Sequence, residues 1–128
     1  MDSSSDKEVA RVSEAWLALQ ATGDPQYDWS VDTMETWREA GDYSAMLRLV
    51  LQLCRDVAPD DGENIVMIGV SPLENLIGQW PDRALSCVEE EVKNNPVLLQ
   101  ALKCVWMRQP AVRQRIDAIL AARGETRA

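Results

Sequence analysis

The side chains with the most obvious capacity for chemistry in this sequence are clustered carboxylates. Asp60, Asp61 and Glu63 fall together in "PDDGEN", and residues 89–91 are three consecutive glutamates. The first cluster lacks the alternating ligands and the distant bidentate Glu of a calcium loop, and acids at a helix start are explained by the helix dipole. Consecutive helical residues point about 100° apart, so the second cluster cannot converge on one substrate. We predict no metal site at either cluster.

The usual catalytic nucleophiles and bases are scarce. The chain has no histidine, which removes the commonest general base and a frequent zinc ligand. Cys54, Cys87 and Cys104 are widely spaced, and each lies within an apolar helical pattern. This spacing favours reduced core side chains over a disulfide or zinc site. We therefore predict that the protein is not an enzyme and needs no cofactor.

The charge is strongly acidic and unevenly distributed. The net charge is −8, with 14 acidic and 5 basic residues in 1–64 but 2 acidic and 7 basic residues in 92–128. An acidic first half disfavours a nucleic-acid backbone as ligand, because that backbone needs cationic neutralisation. The charge favours a cationic protein partner, or it serves solubility alone.

One acidic segment has the spacing of a binding surface. Trp29 lies in "QYDWSVD" between two aspartates, and an amphipathic aromatic among carboxylates is typical of a binding hot spot. The alternative is that Trp29 fills the junction after the first helix. Acids recur there at steps of four, three and four, which places them on one helix face. The predicted partner-binding residues are Asp28, Trp29, Asp32, Glu35 and Glu39, with a possible extension to Asp60, Asp61 and Glu63.

The elements that position these residues are predicted to be helices throughout. Apolar residues recur at helical spacing over residues 9–19, 43–57, 85–92 and 98–105, and the weaker helix near 30–40 carries Val31, Met34 and Trp37 on one side. Ser5 with Glu8 forms a capping box, and Gly23 ends the first helix. The β-branched run at 65–70 has no partner strand, so it is interpreted as helix. The predicted fold is all-α, with about eight short helices.

Prolines mark the predicted helix starts in the second half of the chain. Proline suits the first helical position because the N–H it lacks is unpaired there in any case. Ser71, Pro72 and Glu74 have the order of a cap, a first position and a capping-box acid. Helices are predicted to start in the same way at Pro81, Pro96 and Pro110. Three tryptophans on apolar stripes are expected in the core: Trp16, Trp80 and Trp106.

Tight connections predict that neighbouring helices pack side by side, as helical hairpins or a short α-solenoid-like stack. We expect one domain over 1–128, with residues 1–4 disordered and residues 125–128 frayed. The sequence has neither a membrane span nor the pattern of a signal peptide, so we expect a cytoplasmic protein that binds no membrane.

The stretch from Ile68 to Trp106 resembles an uncharacterised bacterial family, described only as a domain of unknown function. The similarity lies in "GVSPLENLI", the Asn95-Pro96 break, and the Ala101-Leu102 and Val105-Trp106 pairs. The resemblance implies a bacterial source and an all-helical fold. It implies no activity and no catalytic residues.

Two functions fit a small acidic chain of this kind. The first is a non-catalytic protein-binding module, specifically a cytoplasmic immunity protein or antitoxin that occludes the basic cleft of a bacterial toxin. The alternative is a helical adaptor or structural subunit that binds a peptide or a partner protein. The sequence leaves the oligomeric state and the identity of the partner open.

Overall fold

The computed structural model describes residues 5–128, and every regular element among them is helical. This confirms the all-α prediction. The chain divides into two compact units, Met1–Asp56 and Val57–Ala128, which are described separately below. The prediction of a single domain stays a prediction, and the one for residues 1–4 lies outside the described residues. Within residues 5–128, no helix combines the length and the apolar character needed to cross a membrane.

The first unit consists of three helices that each pack against the other two. The elements are α1 (Asp6–Thr22), a 3₁₀ turn (Pro25–Tyr27), α2 (Trp29–Glu39) and α3 (Tyr43–Asp56). As predicted, the Ser5 side chain caps α1 by accepting a hydrogen bond from the Glu8 N–H at 3.1 Å. Gly23 ends α1 at a φ of 68°, a conformation that glycine adopts without strain. Local sequence rules therefore set both ends of α1.

The core of the first unit lies between α1 and α3 and contains one polar link. The Ser13 hydroxyl is fully buried and donates to the Asp56 carboxylate at 2.7 Å. Gln52 donates to the other oxygen of Asp56 at 2.9 Å. A buried hydroxyl without a partner would be costly, so this bond fixes α1 against the end of α3. The apolar side chains buried in these two helices include Val9, Val12, Trp16, Met46, Leu49, Val50 and Leu53.

The second unit contains five α-helices and one π-helical segment. They are α4 (Gly62–Ile68), the π segment (Gly69–Leu73), α5 (Glu74–Gln79), α6 (Pro81–Glu91), α7 (Pro96–Leu102) and α8 (Pro110–Ala122). Three of the predicted proline starts are confirmed, because Pro81, Pro96 and Pro110 each open a helix. α7 packs against α4 and the π segment, and α6 packs against α5 and α8.

The predicted helix start at Ser71 and Pro72 is wrong. The chain stays helical from residue 62 to residue 79, and Pro72 lies inside the π segment. A proline in a regular α-helix clashes with the carbonyl four residues earlier, and the wider π turn relieves that clash. Ile68 and Gly69 before the proline are buried, as are Leu73 and Leu76 after it, so the buried side runs across Pro72 and favours a continuous helix.

The predicted core position of Trp106 is also wrong, since 58% of its surface is exposed. α7 ends at Leu102, so Trp106 lies outside the helical stripe on which the prediction depended. The Glu74 carboxylate does not cap Ser71 but accepts the backbone N–H of Trp106 at 2.8 Å. Trp16 is buried as predicted, whereas Trp80 is half-buried.

α7 approaches the π segment at a single glycine. A Cβ added to Gly69 would lie 2.3 Å from the carbonyl oxygen of Ala101 and 2.8 Å from the Cβ of Cys104. Real side chains do not pack at such distances, so only glycine allows this contact between the two backbones. Gly69 therefore sets how close α7 lies to the helix over residues 62–79.

Most cations after residue 92 have structural partners in the second unit. Lys103 pairs with Glu125 at 3.1 Å, Arg115 pairs with Asp82 at 3.5 Å, and Arg127 pairs with Asp117 at 2.5 Å. Residues 125–128, the predicted frayed end, lie outside any helix. The N–H of Ala128 nevertheless donates to the Lys103 carbonyl at 3.0 Å. These bonds hold the end of the chain near the end of α7.

Gly69→Ala should lower the free energy of unfolding by about 1–3 kcal/mol, because the new methyl group overlaps the Ala101 carbonyl. The matched control is Gly78→Ala in α5, where the new Cβ would meet only the Met107 Cε at 3.8 Å. That control should raise the free energy of unfolding by about 0.5–1 kcal/mol through helix propensity. Urea unfolding measures both variants. Equal effects from the two substitutions would contradict the close contact.

Candidate functional site

The outer face of α2 carries four carboxylates, which we call the acidic face: Asp28, Asp32, Glu35 and Glu39. All four side chains are exposed. At 3.6 residues per turn they fall within about 60° of arc around the helix. Met34 and Trp37 are buried on the other side, as predicted, but Val31 is 46% exposed and does not join them.

The carboxylates of the acidic face are only partly neutralised within the unit. Arg38 donates two hydrogen bonds to Glu35, one of them from Nε at 3.0 Å. The hydrogen bond from Arg38 lowers the pKa of Glu35 below its ordinary value. Among residues 5–128, Asp28 and Asp32 take part in no ion pair. The acidic face therefore keeps a net negative charge.

Trp29 lies at the start of α2, next to the acidic face, and is 39% exposed. The guanidinium carbon of Arg11 is 5.7 Å from the centroid of the indole ring, which is cation–π geometry. A shallow groove of about 220 Å³ runs beside the ring, between α1 and the 3₁₀ turn. Its lining residues are Arg11, Glu14, Ala15, Ala18, Tyr27 and Trp29. Trp29 thus covers part of the helix junction while one portion of its ring faces solvent.

The remaining predicted site residues belong to the second unit. Asp61 caps α4, accepting the Asn64 backbone N–H at 3.2 Å and the Asn64 side-chain amide at 2.8 Å. Asp60 and Glu63 are exposed beside it. The sequence pattern placed these acids at a helix start, and the structure identifies Asp61 as the one that caps it. Across residues 5–128, no group of three or more acidic or cysteine side chains is arranged to hold a metal ion.

The three thiols are held in their neutral form. Burial raises the pKa of Cys54 to about 12, and it also raises the pKa values of Cys87 and Cys104. Because the thiolate is the reactive species, a raised pKa makes a thiol a poor nucleophile at neutral pH. The raised pKa values therefore fit thiols that serve as packed apolar side chains, and they do not fit a nucleophilic centre.

Sequence reasoning missed several residues of these surfaces. Arg11 comes next to Trp29 only through the packing of α1 against α2, whereas Tyr27 lies two residues before Trp29, in the 3₁₀ turn. Trp106 was assigned to the core because its apolar spacing continues that of α7. The turn that ends α7 is formed by the N–H groups of Cys104 and Val105, which bond to carbonyls three residues earlier. No residue type in that stretch signals the turn.

Comparison with known proteins places the chain in a family. The family of unknown function DUF6869 matches residues 18–124. The chain belongs to this family. No curated protein and no solved structure matches the chain.

The DUF6869 match spans both the acidic face and the packed residues of the second unit. It includes Gly69, Glu74 and Trp106, whose contacts join the π segment and α5 to α7 and the turn after it. The family description names no activity, so functional conclusions about this member depend on its surfaces.

In this DUF6869 protein, iodoacetamide should alkylate Cys54 more slowly than Cys87 or Cys104 at pH 9, because Cys54 is the buried thiol and its pKa of about 12 leaves little thiolate. Mass spectrometry of the alkylated peptides gives the three rates. Between pH 9 and 11 the Cys54 rate should rise about tenfold per pH unit, since its thiolate fraction grows at that rate below the pKa. In guanidinium chloride the three rates should become similar. Fastest alkylation at Cys54 in the folded protein would contradict this account.

Proposed function

We propose that this protein is a non-catalytic acidic module that binds a cationic protein partner through the acidic face and Trp29. The observation that carries the proposal is the arrangement on α2. Four exposed carboxylates share one side of the helix, and a partly exposed tryptophan lies at its start. Tryptophan is among the residues that most often contribute a large share of protein–protein affinity.

The charges of the acidic face give it a physical reason to bind. Like charges three or four residues apart on a helix repel, and each pair costs roughly 0.2–0.5 kcal/mol. Within the acidic face, Arg38 directly relieves this repulsion at Glu35. Lysine or arginine side chains of a partner would relieve the repulsion among the other carboxylates of the acidic face. They would also steer association over distances up to the Debye length.

The kind of partner we propose is a bacterial toxin, so that the protein acts as an immunity protein or antitoxin. Toxins that act on nucleic acids or nucleotides need basic clefts to hold phosphate groups. An acidic surface with an aromatic anchor would occlude such a cleft and compete with its substrate. Since those targets are cytosolic, the proposed place of action is the cytoplasm.

The groove beside Trp29 favours a second candidate, a helical adaptor. Its aromatic lining from Tyr27 and Trp29 is the kind of surface that receives a side chain of a bound peptide. The two candidates differ in what the partner does when it is expressed alone. A toxin arrests growth, whereas the partner of an adaptor does not.

Co-expression with the neighbouring genes distinguishes these candidates. Each flanking open reading frame is induced alone, with this protein, and with a variant that lacks Trp29 (Trp29→Ala). The immunity proposal predicts one neighbour that arrests growth alone, full growth with the wild-type protein, and weakened protection by the variant. Equal growth in every combination would contradict the immunity proposal and favour the adaptor.

Charge reversal tests the acidic face itself. Asp32, Glu35 and Glu39 are changed together to lysine, and association with the purified partner is followed by stopped-flow fluorescence. The association rate should fall at least tenfold, and its dependence on salt should largely disappear. The matched control changes Glu89, Glu90 and Glu91 to lysine, which gives the same charge change on exposed positions of α6. Equal slowing in both variants would place the binding surface elsewhere.

A further inference from the structure

Trp106 is the most exposed large apolar side chain among the described residues, yet its backbone is firmly held. The residue is 58% exposed, and its backbone N–H donates to the Glu74 carboxylate at 2.8 Å. A hydrogen bond between residues 32 positions apart fixes where this residue sits on the second unit. An exposed indole on a fixed backbone loses little entropy when a partner covers it, which is typical of a binding anchor.

The segment that carries Trp106 runs along one continuous helix. Gly69 contacts Ala101 and Cys104, Glu74 binds the Trp106 amide, and Gly78 lies near the Met107 side chain. Residues 101–107 therefore follow the helix from residue 69 to residue 78. The glycine contact and the carboxylate bond together set the position of Trp106 on this helix.

The same helix presents further exposed apolar surface. Val66 is 45% exposed and Val70 is 42% exposed. Val66, Val70 and Glu74 are four residues apart, so they lie on the same side of the helix. Glu74 is also the residue that binds the Trp106 amide. The exposed side chains of Val66 and Val70 thus lie on the same side of the helix as Glu74, which binds the Trp106 backbone.

The Trp106 ring has a cation beside it, although the carboxylate of Glu74 binds the backbone N–H of the same residue. The guanidinium carbon of Arg113 is 6.0 Å from the centroid of the indole ring. Its Nη1 donates to the carbonyls of Met107 and Arg108, each at 3.2 Å, and these bonds hold the guanidinium beside the ring. Lys103, Arg115 and Arg127 pair with carboxylates, but among residues 5–128 neither Arg108 nor Arg113 does.

We propose that Trp106, Val70, Arg108 and Arg113 form a second docking surface, which takes an acidic segment of a protein partner. An apolar side chain of that segment would cover the indole, and its carboxylates would pair with the two arginines. Charge complementarity selects this occupant, because these cations lack carboxylates of their own. The surface lies in the second unit and does not depend on the function proposed for the acidic face.

A nucleic-acid strand would also offer negative charge and stacking, but the observations favour a peptide. Two arginines neutralise few phosphates, and the net charge of −8 repels a long phosphate backbone. A short acidic segment carries fewer charges and adds aliphatic contacts for Val70 and Trp106. An oligonucleotide therefore serves as the competing probe in the test.

The test follows the indole N–H signals of ¹⁵N-labelled tryptophan by NMR in the full chain. The Trp106 signal is assigned by its loss in Trp106→Phe. The probes are a blocked decapeptide in which glutamate alternates with leucine, the same peptide with lysine for glutamate, and a ten-residue oligothymidylate. The glutamate peptide should shift the Trp106 signal in a saturable way, and the lysine peptide should leave it unchanged.

Variants separate the docking surface from general charge effects. Arg108→Glu should weaken binding of the glutamate peptide at least tenfold, which is the usual effect of losing an anchoring charge. The matched control is Arg123→Glu, an equal charge change at the C-cap of α8, about 15 Å along the helix axis from Arg113. It should weaken binding less than twofold.

Three outcomes would overturn the proposal. The first is no shift of the Trp106 signal by the glutamate peptide at millimolar concentration. The second is tighter binding of the oligothymidylate than of the glutamate peptide, which would make the surface a nucleic-acid site. The third is an equal loss of affinity in Arg108→Glu and Arg123→Glu, which would show that net charge alone controls binding.

Discussion

The contact between Gly69 and the backbone of α7 is the constraint on which the second unit depends. Because an added Cβ would lie 2.3 Å from the Ala101 carbonyl, α7 can pack directly against the π segment only when residue 69 is glycine. That contact sets the register of residues 101–107 along the helix and brings the Trp106 amide to Glu74. The shape of an exposed surface is thus determined by a buried contact, and a change at Gly69 would move Trp106 without touching it.

Local sequence rules predicted the fold class and most helix ends. Ser5, Gly23, Pro81, Pro96 and Pro110 act through hydrogen bonds or backbone angles within a few residues, so a sequence pattern is sufficient to identify them. Pro72 carries the same local signals but lies inside a helix, because burial on both sides of it, at Ile68 and at Leu73, favours a continuous element. Tertiary packing thus decides whether such a proline starts a helix or lies inside one, because the local sequence signals are the same in both cases.

The same distinction applies to the candidate surfaces. The spacing of Asp28, Asp32, Glu35 and Glu39 predicted their common helix face, since that geometry is a property of one helix. The roles of Arg11, Asp61 and Trp106 were not predictable. Arg11 stacks on Trp29 only when α1 packs against α2, and Trp106 is exposed only because α7 ends at Leu102. For Asp61, the sequence indicated acids at a helix start but did not show which of the adjacent acids caps the helix.

Two surfaces of opposite local charge give this member of the family a consistent physical description: an acidic helix face in the first unit and a basic aromatic surface in the second. We propose that the acidic face docks a cationic protein. Hydrogen-exchange mass spectrometry of the complex with the partner identified by co-expression tests it most directly. The account predicts slower exchange in peptides of α2 (Trp29–Glu39) and unchanged exchange in α6 (Pro81–Glu91). Protection confined to the second unit, with α2 unchanged, would contradict it.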